Sequence, residues 1–161
     1  MEELAKLVDG QKVILLDEGD AGWKVQFPGA EVGQVSLGSG LRIVVYANEG
    51  ESLEVNIEGR LDVRGDRVGP KTIDPQEPTS GLGILAASLL HERLSLCEAS
   101  RSGELHLLFN AGTGITVPPS PEIEAWSLDG SLFKLVSLPG GKVGYWDRRD
   151  PEREVRLIEG R

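Results

Sequence analysis

Leu41-Arg42-Ile43-Val44-Val45-Tyr46-Ala47-Asn48-Glu49-Gly50-Glu51-Ser52-Leu53-Glu54-Val55-Asn56-Ile57 decides the fold. Successive side chains of a strand point to opposite faces, so apolarity with a period of two marks a strand with one face buried. Leu53, Val55 and Ile57 fall on one face, and Glu54, Asn56 and Glu58 on the other. Leu41, Ile43 and Val45 alternate in the same way against Arg42, Val44 and Tyr46. Asn48, Glu49 and Gly50 supply the turn between the two runs. The stretch is a β-hairpin with one apolar face.

Upstream, residues 13–16 and 23–27 flank Glu18, Gly19, Asp20, Ala21 and Gly22, a second two-strand unit with a longer acidic loop, ended by Pro28 and Gly29. A short N-terminal turn over 2–8 groups Leu4, Leu7 and Val8. Downstream, Gly69, Pro70, Asp74, Pro75, Pro78 and Gly81 crowd a stretch that predicts an ordered loop, because proline removes ladder donors and helix positions. Ser80 then N-caps a predicted helix over about 81–92, with Leu82, Leu85, Ala86, Leu89 and Leu90 on one stripe and His91, Glu92 and Arg93 closing it.

Beyond the helix the alternation returns over 94–100, 105–110, 114–117, 123–128, 132–138 and 143–146. The run from Gly40 to Val55 parallels that from Gly103 to Val117, which suggests a duplicated strand-turn-strand unit. The expected fold is mainly β: an antiparallel β-sandwich or open barrel built from such units, with one covering helix. Residues 1–150 form a single domain, a size that suits 161 residues. Residues 151–161 read as a charged tail, flexible or an engineered remnant. Ile158 to Arg161 spell Ile-Glu-Gly-Arg, familiar as a protease-cleavage linker and present again at Ile57 to Arg60.

With 17 basic and 26 acidic side chains the formal charge is -9, which opposes binding to nucleic acid and to anionic membrane surfaces. The opening Met1, Glu2, Glu3 lacks a basic start and apolar run, so the expected location is cytoplasmic. Cys97 stands alone and can form neither an internal disulfide nor a zinc cage; without a basic neighbour it reads as a buried, inert thiol.

Gly65 to Thr72 approaches a phosphate-cradling loop, but Pro70 stands where the loop needs glycine before its lysine, and no helical pattern follows directly. His91 and His106 lie on separate predicted elements, the first at a helix end and the second facing outward on a strand, and make no metal motif. No serine sits in a Gly-x-Ser-x-Gly turn. No cofactor, metal or catalytic group is assigned. Asp17, Glu18 and Asp20 cluster in one loop, and Glu122 and Glu124 share one face of a predicted strand, the arrangement from which carboxylate chemistry is built. Only 5% of residues are aromatic, yet Trp126, Tyr145 and Trp146 fall in the last third. Tyr145 and Trp146 face opposite ways, so one packs inside and the other is free to anchor a partner. The candidate ligand- or partner-facing residues are Glu122, Glu124, Trp126, Tyr145 and Trp146.

Ile57, Glu58, Gly59 and Leu61; Ile73, Asp74 and Pro75; Gly103, Leu105, Phe109 and Gly112; Val117, Pro118 and Pro119; Glu124, Ala125 and Trp126; Pro139, Gly140 and Gly141; and Trp146 stand in an order that resembles a small bacterial family of unknown function, frequent in actinobacteria. The resemblance spans about Gly33 to Trp146, and the Glu-Ala-Trp … Pro-Gly-Gly … Trp ending is its most specific part. It implies no activity, cofactor or catalytic residue, and its glycines, prolines and tryptophans read as determinants of shape.

The leading expectation is a non-enzymatic acidic protein-interaction module, in its specific form an immunity-type protein whose negative charge complements a basic toxin. The rival is a small-ligand-binding barrel or hydrolase with a pocket lined by Trp126, Tyr145, Glu122 and Glu124.

Overall fold

The computed structural model describes residues 14–27, 29–48, 50–65, 69–77, 81–149 and 156–158. They form two seven-stranded antiparallel sheets and one helix. Sheet 1 runs in the order β1 (Leu15–Glu18), β2 (Gly22–Gln26), β8 (Leu94–Ser100), β9 (Leu105–Phe109), β10 (Gly114–Val117), β6 (Leu61–Arg64) and β7 (Lys71–Ile73). Sheet 2 runs β14 (Arg156–Ile158), β13 (Val143–Asp147), β12 (Phe133–Ser137), β11 (Trp126–Asp129), β5 (Glu51–Ile57), β4 (Leu41–Asn48) and β3 (Glu31–Leu37). The sheets do not close on each other. Of the two expected architectures, the sandwich is the one formed.

The deciding hairpin is β4–β5, with Ile43 opposite Val55 and Val45 opposite Leu53. Its inward residues are almost wholly buried and join one core with the inner face of sheet 1, where Leu61, Val63, Cys97, Leu105, Leu107, Ile115 and Val117 lie. Aromatic groups bridge the layers: Trp23 of β2 stacks on Tyr145 of β13 at 6.4 Å. The indole Nε1 of Trp126 donates to the Gly103 carbonyl (2.8 Å), which also accepts from the Ser137 hydroxyl (3.0 Å). The two runs that look duplicated in the sequence become hairpins in different sheets, β4–β5 and β9–β10.

Helix α1 (Leu82–Leu89) buries Leu82, Leu85 and Leu89 of the expected stripe, but it is shorter than the predicted 81–92 and leaves Leu90, its extended C-cap, exposed. Gly81, in the left-handed region at φ 84°, is its N-cap in place of Ser80, which lies outside the described residues. Residues 91–93 leave the helix because the edge of β3 offers them backbone partners. His91 N–H donates to Val32 O (2.9 Å), Val32 N–H donates to Glu92 O (2.8 Å), and Arg93 bridges Glu31. His91 therefore sits beyond the helix end, at φ 70°, with Nδ1 3.5 Å from Glu31.

Two further expectations change. The proline-rich middle holds a short strand, β7, because Leu61 and Val63 of β6 pair with Ile73 and Lys71 before Pro75 intervenes. Residues 121–125 are loop, and the strand expected from 123 begins at Trp126. Pro118, Pro119 and Pro121 deny this stretch ladder donors, and the Ser120 hydroxyl instead accepts the N–H groups of Glu122 (3.2 Å) and Ile123 (3.3 Å). The predicted turn over 2–8 lies outside the described residues. Arg156–Ile158, within the expected tail, pairs with β13.

Candidate functional site

The five residues singled out in the sequence do not converge. Trp126 (1% exposed) and Tyr145 (5%) are core groups. Glu122 and Glu124 are exposed in the proline loop, and the strand face they were expected to share does not exist. Trp146 faces outward on sheet 2, where its ring covers Gly144 and lies 6.0 Å from the Lys134 ammonium. Around it the outer face of sheet 2 is cross-linked by its own charges: Arg42 donates to Glu54 from Nε (2.7 Å) and from Nη2 (3.0 Å), and Asn56 donates to the same carboxylate (3.1 Å). The hydrogen bond from Arg42 holds the Glu54 carboxyl below its usual value. These groups are already satisfied within the sheet.

The outer face of sheet 1 is different. Register places Lys24, Glu98, His106, Thr116, Asp62 and Thr72 in one row across six strands. Within it His106 Nε2 lies 2.6 Å from Glu104 Oε1, His106 Nδ1 lies 3.2 Å from Thr116 Oγ1, and the Thr72 hydroxyl donates to Asp62 (2.7 Å). Beside this row runs a second one of Leu96, Leu108, Gly114 and Arg64. Leu108 is 42% exposed, and an added Cβ at Gly114 would meet nothing closer than 3.9 Å, so the glycine leaves a notch next to the leucine.

Two open grooves meet at His106. One, of about 710 Å³, is lined by residues of β6, β7, β8, β9 and β10, among them Arg64, Lys71, Thr72, Leu108 and Thr116. The other, of about 540 Å³, is lined by the β1–β2 hairpin and β8, with Asp17, Glu18, Asp20 and Glu98 at its margin and Trp23 and Ala99 beneath. Together they make a trough across the sheet face. At its acidic end Arg101 braces the hairpin: its guanidinium lies 5.1 Å from the Trp23 ring and donates to the carbonyls of Asp20 (2.9 Å) and Gly19 (2.6 Å).

Thr116, His106 and Glu104 stand in the order hydroxyl, imidazole, carboxylate that nucleophilic catalysis uses. The surroundings do not complete it. Thr116 lies in the middle of a strand whose backbone is paired with both β9 and β6, so no neighbouring pair of N–H groups is free to hold an oxyanion. The His106 and Glu104 side chains are 43% and 38% exposed, which leaves their interaction screened by solvent. Among the described residues no group of three or more His, Cys, Asp or Glu is placed to hold a metal, and no helix is long and apolar enough to cross a membrane. Cys97 is fully buried, and desolvation pushes its thiol value upward.

Alternation alone gives His106 an outward position and no partner, and it does not show which residues of other strands lie beside it. A signal was present. In Leu105-His106-Leu107-Leu108-Phe109 the alternation breaks at Leu108, an apolar residue in a register that otherwise faces solvent.

A family model described as "Family of unknown function (DUF6188)" matches residues 23–147, a wider span than the one that carries the resemblance in the sequence. No curated protein and no solved structure matches the chain.

Proposed function

The chain belongs to DUF6188, a family of unknown function, and from that premise we propose that it is a non-enzymatic, acidic protein-interaction module whose contact surface is the outer face of sheet 1. The observation that carries this reading is the open trough around His106, rimmed by the exposed Leu108 and by carboxylates at the β1–β2 end. An apolar anchor beside charged groups is how protein interfaces are built. The overall charge of -9 favours a basic partner and speeds its encounter. As part of the same proposal, the protein is bacterial and cytoplasmic, and it neutralises a basic toxin in the manner of an immunity protein. The rival pocket draws no support from the geometry, since Trp126 is buried with its N–H engaged while Glu122 and Glu124 point from an exposed loop.

The test is site-specific photo-crosslinking in the native host. A photoreactive residue at Leu108 should give one discrete protein adduct that weakens as salt rises and is lost with Glu98→Lys. The same probe at Lys134, on sheet 2, should give none. Equal labelling from both faces, or an adduct indifferent to salt and to Glu98→Lys, would defeat the proposal.

A further inference from the structure

A second surface, formed by α1 and β3, is distinct from the trough, since none of its residues lines either groove. Neither Val32–Leu41 nor Gly81–Leu90 contains a charged residue, in a chain where 27% of residues are charged. A helix that is apolar on every side is normally covered on every side. Leu82, Leu85 and Leu89 of α1 are buried, yet Gly83, Ile84, Ala87 and the C-cap Leu90 are equally apolar and exposed. At 68%, Ile84 is the most exposed large apolar residue among those described, and a Cβ added at Gly83 would meet nothing within 4 Å. Strand β3, beside which α1 packs, ends the order of sheet 2. On its outer side residues 91–94 engage the backbone of Ala30 and Val32, whereas Gln34–Leu37 has no backbone partner on that side among the described residues. Leu37 pairs with the buried Leu41 and is itself 52% exposed.

We propose that this side is the contact between two copies of the chain. A two-fold axis passes near Ile84, so that the exposed α1 stripes face each other and the open β3 edges come together antiparallel. Charge and backbone both select a second copy as the occupant. Two molecules of formal charge -9 repel wherever they present carboxylates, and they can meet where neither presents a charge. A basic partner, by contrast, gains nothing from an uncharged side. An open strand edge is complementary to its own copy, because antiparallel pairing about a two-fold axis uses main-chain groups only.

Sedimentation velocity of the full chain tests this. A contact of one short helix and one strand edge is small, so the expected dissociation constant lies between about 10 µM and about 1 mM. Association should tighten as salt rises, because screening weakens the repulsion between the acidic copies and leaves the apolar contact intact. Ile84→Glu should weaken it at least about tenfold by setting like charges face to face, and Ile84→Lys should do the same. An equimolar mixture of the two variants should recover association, since each Glu then meets a Lys across the axis. Ile84 lies outside the core, so both variants should keep the fold, which circular dichroism checks. A parent chain still monomeric at about 1 mM would overturn the inference. So would a dimer indifferent to Ile84→Glu, a mixture that associates no better than either variant, or association that weakens with salt. A variant lacking residues 2–10 that associates when the parent does not would assign the face to the chain's own N-terminal segment and equally overturn it. Salt acts in the opposite sense on the crosslink from Leu108, and the two surfaces share no residue, so either proposal can fail while the other stands.

Discussion

Cys97 and Glu54 show how placement decides what a side chain can do. Cys97 alternates inward on β8 and is closed off from solvent, so its thiolate is suppressed and the group acts as a small apolar core residue. Thiol reagents such as dithiobisnitrobenzoate should leave the native protein unmodified and label one equivalent after denaturation; fast labelling of the native state would refute this placement. Glu54 lies on the opposite kind of surface, where the Arg42 hydrogen bond depresses its carboxyl value. A depressed carboxyl contributes stability above the unfolded-state value of about 4.3, and that contribution is lost as pH falls through the lower folded value. Glu54→Gln should therefore lower the melting temperature at pH 7, and its deficit relative to the parent should close in stronger acid. A deficit that stays constant across pH would mean that the carboxylate charge contributes nothing.

At the scale of elements, burial patterns were legible where alternation was clean and obscure where backbone partners decided. The inward Leu53, Val55 and Ile57 and the helix stripe of Leu82, Leu85 and Leu89 follow directly from periodicity. The helix end at 89 does not, because it depends on the β3 edge capturing residues 91–93. The loop over 121–125 was hidden by an apparent alternation in Ile123, Ala125 and the residues after it, although the neighbouring prolines argue against pairing. Leu85→Ala and Leu89→Ala, at positions with no solvent exposure, should each cost about 2–5 kcal/mol in denaturant unfolding. Gly22 adopts φ 147°, and a Cβ there would collide with the Ala99 carbonyl oxygen of the adjacent strand. Gly22→Ala should therefore cost at least about 2 kcal/mol, and a neutral result would refute the close β2–β8 approach.

Over the whole molecule, the sequence narrowed the fold to a sandwich or an open barrel but did not show which outer face carries an open groove. Periodicity separates inside from outside, and it is blind to whether outward charges pair among themselves, as Arg42 and Glu54 do, or border an open groove, as Asp62, Arg64 and Glu98 do. That difference arises from strand order, which brings β8 between β2 and β9 and β6 between β10 and β7. The same order interlocks the halves of the chain. A fragment ending at residue 117 contains β5 but not its partner β11, and it should show no cooperative thermal transition by circular dichroism. During synthesis β2 must wait for β8, and β5 for β11, so each exposes an unpaired strand edge while the intervening residues are still being translated. A ribosome making this chain thus holds one sticky half-sheet until Leu94–Ser100 has emerged and another until Trp126–Asp129 has. Closing such distant pairs puts folding on the millisecond-to-second scale typical of β-sandwiches, and makes the nascent protein a natural client for chaperones that shield open strands.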